Sequence, residues 1–467
     1  MLEGVIIGGG ISGLAFAHFL GLEDHRATWE IWEAAGRVGG TIGTDRAEGY
    51  SVDWGPNGFL DREPLTLRLV DELDLGRQLE PANKESEKRF IVKHRRLHPV
   101  PFSPGLMLRT GLLSPAEKLR VFAEPFIPAR RDDSEESVFD FAARRIGRGA
   151  AETFVDPMVS GVFGGVARLL SLPACFPIMR ELEMRHGGLV KGMIARRRAR
   201  RREDGESGKS SKKPGGPAGP GGWLTSFKSG LDVLTQRLNE RLSPSIRTGR
   251  VVVRVVRNDF AWEITDVAGR QALAKRVVLA CPAFAAGEML SGFDDELSRS
   301  LASIPYAPII VVATGHRRDD IVHSLEGFGY LIPRSEGLRT LGSIWTSSIF
   351  RERAPEGQVQ FRSMLGGAGD PSVMELSDAE LWTTLKREVG PLIGIDRDPL
   401  FLRVYRWKRG IPQFTLGHRE RRERIERMAA AHPGLHLVGN AYYGVSLNDC
   451  VKMAHGLAAR IRSDAAG

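Results

Sequence analysis

Only three cysteines, Cys175, Cys281 and Cys450, occur in 467 residues, far apart and in apolar surroundings. That spacing excludes a disulfide framework and a cysteine-based metal site, whose ligands recur at short intervals. No apolar run is long enough to span a membrane, and the N-terminus enters an apolar stretch without the regions of a secretory signal, so a reducing, cytoplasmic setting is expected. Neither a Ser/His/Asp set nor a metal-spaced cluster of His, Cys, Asp and Glu is apparent. Excess positive charge is confined to one segment: of a net +9, residues 191–213 hold ten Lys or Arg against three Asp or Glu, and the rest of the chain is nearly neutral. No aromatic residues interleave those charges, so the pattern does not indicate a nucleic-acid partner. The length exceeds what one core usually holds, and two or three domains are expected.

What is present begins at once. Val5, Ile6 and Ile7 run into Gly8, Gly9, Gly10, Ile11, Ser12 and Gly13, an apolar strand breaking into glycines and then into a helix-like stretch up to Leu20. This is the G-x-G-x-x-G dinucleotide pattern: Gly8 permits the turn, Gly10 lets backbone approach a pyrophosphate, and Gly13 lets helix pack on strand. A second strand ends at Glu33, 20 residues after Gly13, where an acid meets a ribose hydroxyl.

Glu33 is followed by Ala34, Arg37, Gly39, Gly40 and Thr41, a second glycine pair that a simple nicotinamide enzyme does not need. This resembles the E-x-x-x-R-x-G-G pattern of the amine oxidase and phytoene desaturase flavoproteins, which implies non-covalently held FAD. Arg37 offers a planar fork for a phosphate. Three further motifs follow in order: the turn Gly55, Pro56, Asn57, Gly58; Gly161-Val162-Phe163-Gly164-Gly165 with its tail from Leu170 to Pro177; and the terminal stretch from Gly439 and Asn440 through Gly444, Val445 and Ser446 to Cys450. Together they resemble the porphyrinogen oxidases of haem biosynthesis over nearly the whole chain.

That resemblance implies an α/β fold in which a Rossmann-like FAD domain (1–84 with 223–290 and 403–467) joins a mixed-sheet substrate domain (291–402) and a helical domain (85–195) resting on a membrane face. Residues 196–222, rich in Arg and then in Gly and Pro, depart from the family and read as a flexible insert. The resemblance also implies roles: Asn57 and Gly161 beside the reacting ring, Arg89 toward a propionate, Leu331 and Met364 flanking the macrocycle, Val252 against adenine, and Trp407 at the return to the cofactor domain. Gly439, Asn440, Gly444, Val445 and Ser446 lead into a terminal helix whose N-terminus stabilises negative charge on reduced flavin. From residue type alone, Arg89 reads equally as a solvated charge, and Leu331, Met364 and Val252 as ordinary core. His418 precedes a charged helix and reads as structural rather than as a base.

The implied reaction converts protoporphyrinogen IX to protoporphyrin IX with O2 as acceptor and H2O2 released, at the inner face of the cell membrane, in a monomer or homodimer, with hand-over to ferrochelatase. Coproporphyrinogen III is the alternative substrate; Ser160 stands where some relatives carry a basic residue, which leaves that choice open. An amine oxidase or carotenoid desaturase is disfavoured by the lack of an aromatic pair to sandwich an amine. A non-catalytic flavoprotein scaffold is the reading from another class.

Overall fold

The computed structural model describes residues 1–22, 28–132, 134–207 and 222–466. The strand Leu2–Ile7, buried over its last four residues, lies between Trp29–Trp32 and Gln271–Leu279, parallel to both. Ile246–Arg247 extends this sheet on one side, Leu435–Leu437 pairs parallel with Gln271–Leu279, and the hairpin of Val252–Arg257 and Trp262–Asp266 completes it. Helices Ile11–Leu20, Asp232–Leu242 and Leu447–Ala466 pack on one face, with Phe16, Leu234, Leu238, Val451 and Leu457 in a shared core. The other face is closed by Ala283–Leu290, Asp295–Ala302 and His418–Ala430 through Ala286, Leu297, Leu301 and Ile425. Parallel strands covered on both sides must be apolar throughout, which explains the unbroken runs at both Val5 and Val277.

A second sheet of seven strands runs in the order Phe401–Pro412, Tyr306–Arg317, Gln358–Gly366, Thr340–Trp345, Gly329–Leu331, Arg89–Lys93, Arg96–Pro99. One face packs on the helix Asp378–Ile393 through Ile310, Val312, Phe361, Leu365 and Leu385. The other carries the candidate site. Three of these segments differ from the expected division. Arg89–Lys93 and Arg96–Pro99 belong to this sheet rather than to a helical unit, because Gly329–Leu331 has a free edge that Arg89–Lys93 pairs in parallel. Likewise Phe401–Pro412 is the opposite edge strand and joins the cofactor domain only beyond Pro412.

The described residues between 104 and 207 are mostly helical, in short pieces such as Pro104–Arg109 and Pro115–Phe122 that start at prolines. Leu189–Ser207 is one helix, so the part of the expected insert from 196 to 207 is helical; residues 208–221 of that insert lie outside the described residues. Its start is capped from another element: Glu124 accepts the N–H groups of Leu189 (2.8 Å) and Val190 (3.1 Å). The same carboxylate receives Nε of buried Arg145 at 2.9 Å, while neighbouring Arg144 spans Glu136 and Glu183. Replacing Arg145 by Met leaves Glu124 buried without its cation. A loss of about 3–5 kcal/mol is expected, read as a lower chemical-denaturation midpoint of the holoprotein.

Candidate active site

Gly8 has φ +114°, and a Cβ there would stand 2.7 Å from the Ala280 carbonyl oxygen. At Gly13 a Cβ would fall 2.1 Å from the Gly8 oxygen, so helix Ile11–Leu20 can sit this close to the turn only with glycine. Gly10 differs from both: its φ is −74°, and a Cβ would meet nothing nearer than Gly40 Cα at 4.0 Å. Neither backbone conformation nor packing requires a glycine at that position. The space beside the helix N-terminus, which no side chain caps, fits a pyrophosphate.

The second loop docks onto the first. Gly39 N–H donates to Gly9 O at 2.7 Å, and Gly40 faces Gly10 so closely that a Cβ would come within 3.3 Å of its Cα. Glu33 joins both loops, its carboxylate accepting the N–H of Gly9 (2.7 Å) and of Ala35 (2.8 Å), with Ala34 exposed between them. The backbone before Val252 runs alongside, Arg250 N–H donating to Glu33 O, and Val252 itself is buried in the same core cluster as Trp32. Arg37 uses its donors on the carbonyls of Val38, Ile42 and Gly40 and lies 4.6 Å over the Trp54 ring. It therefore braces the loop instead of presenting an open fork.

The Gly55–Asn57 turn is wedged between this loop and the second sheet. A Cβ on Gly55 would lie 2.0 Å from the Thr41 oxygen, and Trp407 Nε1 donates to Trp54 O at 3.2 Å. Pro56 is exposed, while the Asn57 amide nitrogen is buried without a partner. At the far end Gly439 (φ +151°) passes Cys281, and Asn440 is half-buried. Ser446 and Asp449 cap the terminal helix reciprocally, and Gly444 leaves room for the Asp449 carboxylate. That carboxylate takes part of the helix donor set, so the N-terminus offered to a cofactor is narrower than the motif implies. Asn448 ties the same helix to Leu60 O and Thr66.

On the site face of the second sheet, Leu331, Gly342 and Met364 are consecutive register partners. Gly342 has no side chain to lift the floor between the other two. Gly161, on helix Asp156–Phe163, lies directly over Leu331: a Cβ there would fall 2.6 Å from Leu331 Cδ2. Val445 packs against the cluster of Val159 and Phe163, which brings the terminal motif to the same helix. Arg89 sits at the edge, opposite Gly329, with its guanidinium 5.0 Å over the Phe328 ring and its Nε buried without a partner. Burial lowers its pKa to about 10, which leaves it charged at neutral pH. His418 is buried, stacked on Phe414 at 4.2 Å with Nε2 3.3 Å from Tyr442 O, and desolvation holds it near pKa 4. It is a packed histidine, as its sequence context suggests.

Most residues picked from the motifs thus gather into two groups, the glycine loops joined by Glu33 and an apolar floor. Gly342 and Trp54 escaped that selection. A lone glycine inside the apolar stretch Thr340–Trp345 was a usable signal, because glycine in a strand marks close approach; the place of Trp54 depends on Arg37 and Tyr405, which are remote in sequence.

Fold and cradle together define a flavoprotein whose cofactor is FAD. The chain belongs to the family of flavin-containing amine oxidoreductases, whose profile matches residues 11–462. It is 31% identical to a chloroplastic protoporphyrinogen oxidase of Oryza sativa subsp. japonica, covering 98% of this chain and 87% of that one. It is 28% identical to a coproporphyrinogen III oxidase of Bacillus subtilis, covering 96% and 95%. A crystal structure from Exiguobacterium sp. 255-15, provisionally named a protoporphyrinogen oxidase, superposes with a TM-score of 0.84 at 25% identity over 99% of this chain and 98% of that one.

Gly39 offers a direct check of the cradle. Gly39→Ala would force a side chain onto φ +107° and within 2.7 Å of Ile42 O. Strain of about 1–3 kcal/mol corresponds to roughly 5- to 150-fold weaker FAD binding, measured by fluorescence titration of the apoprotein.

Proposed function

We propose that this chain is a porphyrinogen oxidase that converts protoporphyrinogen IX to protoporphyrin IX with O2 as acceptor and H2O2 as by-product. The observation that carries the reading is the floor of Leu331, Gly342 and Met364, met by Gly161 at Leu331 and edged by Arg89, whose Nε is buried without a partner. An apolar floor with a cation at its edge suits a ring that is apolar in its body and carboxylated at its arms, once the Leu331 side chain, which here closes against Gly161, turns aside. Bound FAD supplies a two-electron acceptor regenerated by oxygen, and three rounds remove the six electrons between porphyrinogen and porphyrin.

The chain's own residues bind and orient. Leu331 and Met364 hold the macrocycle flat, and the missing side chain at Gly161 lets the opposite wall come close. Arg89 meets a propionate with a charge that burial has stripped of water, where pairing is stronger than at a surface. The unpartnered Asn57 amide stands at the turn between cradle and floor and fixes the ring's orientation there. Coproporphyrinogen III is the second reading, favoured by the near-complete match to the Bacillus subtilis enzyme.

The helical unit supports contact with an anionic lipid surface. Leu106 and Leu108 on Pro104–Arg109, Leu119 and Phe122 on Pro115–Phe122, and Phe126 beyond them are exposed, the last by 85%, and Lys118 links the two helices through Leu108 O. Exposed apolar side chains beside basic ones are what interfacial binding needs. Among the described residues no helix is long and apolar enough to cross a membrane.

Anaerobic mixing with each porphyrinogen is expected to bleach the flavin absorbance faster with protoporphyrinogen IX, and porphyrin fluorescence follows on admitting air. Faster bleaching by coproporphyrinogen III would select the second reading; no bleaching by either would sink both. Arg89→Leu should raise KM by about 10- to 100-fold with kcat less affected, the loss of a charge-assisted bond of about 1.5–3 kcal/mol. Cosedimentation with phosphatidylglycerol vesicles should be lost in a Leu119→Asp, Phe126→Asp variant that still holds FAD.

A further inference from the structure

Arg362 lies two residues before Met364 on Gln358–Gly366, so strand alternation puts both on the face that carries Leu331. Its side chain is 3% exposed. Nη2 donates to the Gly55 oxygen at 2.6 Å, and the buried Nε has no partner. The charged and titratable groups facing it are Asp53, Arg353 and Tyr405, and burial outweighs Asp53 to lower its pKa to about 10. Asp53 makes its hydrogen bonds elsewhere: Oδ1 accepts from Thr44 Oγ1 (2.6 Å) and Leu231 N (2.9 Å), while Oδ2 accepts no hydrogen bond and lies 3.4 Å from Arg353. Arg362 is thus a buried cation whose strongest contact is one backbone carbonyl.

Such burial is costly, and an apolar side chain of similar volume would usually serve stability as well or better. What Arg362 does hold is the turn. Gly55 is pressed between its guanidinium and the Thr41 oxygen, and the preceding carbonyl, of Trp54, is held by Trp407 from the same sheet. Two residues on stands Asn57, whose amide nitrogen is buried without an acceptor. The turn that carries Asn57 is therefore held by two donors on the sheet that also carries Leu331 and Met364.

We propose that Arg362 is a positioning residue for the oxidation, carrying the Gly55 carbonyl so that the Asn57 amide is held at a defined place over the substrate floor. This rests on the porphyrinogen reading and deepens it.

The test is a double-mutant cycle on the holoprotein with Arg362→Met, Asn57→Ala and both together, and with Arg362→Lys as the conservative variant. Flavin absorption envelope, FAD dissociation constant, kcat and KM are followed with the porphyrinogen that bleaches the wild type. A misplacement on the ångström scale costs up to about 100-fold in rate, so Arg362→Met should lose roughly 10- to 100-fold in kcat with KM within about threefold. Its flavin envelope should shift in the direction seen for Asn57→Ala, and the double variant should be no worse than the poorer single one. Arg362→Lys, which keeps the charge with shorter reach, should recover part of kcat; if Arg362→Met does not accumulate as holoprotein, Arg362→Lys enters the cycle in its place with the same coupling expected. Losses that multiply, or a flavin envelope and kcat equal to wild type in Arg362→Met, overturn the proposal. Should neither porphyrinogen bleach the wild type, the functional reading falls by itself, and non-additivity of the flavin envelope and FAD affinity still decides the role of Arg362.

Discussion

The Glu33 carboxylate is the join on which the cofactor side depends. One oxygen takes the N–H of Gly9 and the other that of Ala35, so a single side chain at the end of one strand fixes the glycine turn that follows another. Charge-assisted bonds to backbone donors are among the stronger ones available. With the turn fixed, Gly39 can reach Gly9, the two glycine pairs lie back to back, and a groove free of side chains is left at a helix N-terminus. Chemistry that resides in a cofactor asks the protein for this kind of placement more than for reactive side chains.

The second sheet meets that cradle through backbone carbonyls. Trp407 and Arg362 reach from its site face to consecutive carbonyls of the turn at Trp54 and Gly55. The same face continues through Met364 and Gly342 to Leu331, under Gly161. The glycine loops, the turn and the apolar floor are therefore one mechanical unit. The helical part closes over it, organised by a buried cluster in which Glu124, Glu136 and Glu183 neutralise Arg144 and Arg145.

Much of this was readable from local pattern. The helix Ile11–Leu20, the hairpin near Val252 and the strands at Ile309, Tyr330, Thr340 and Val359 all follow from apolar runs punctuated by glycine, proline and polar turns. The edges of units were less legible. Arg89–Lys93 looks like any short strand, and nothing within it says that its partner is Gly329–Leu331, some 240 residues later. The helical run into Ser207 was obscured because a dense arginine tract reads as solvated chain, although arginine is itself a good helix former.

The order of residues alone determined the dinucleotide cradle, because its glycines, its acid and its second loop answer to requirements of turn geometry and backbone approach that act over a few residues. It equally determined which segments could be buried strands. Tertiary structure decided the rest: that Gly342 lies between Leu331 and Met364, that Gly161 stands over Leu331, and that Arg89 and Arg362 are left with donors unpaired. Strand order and register depend on pairing energies summed between distant segments, and whether an arginine finds a carboxylate depends on what those pairings bring to its side.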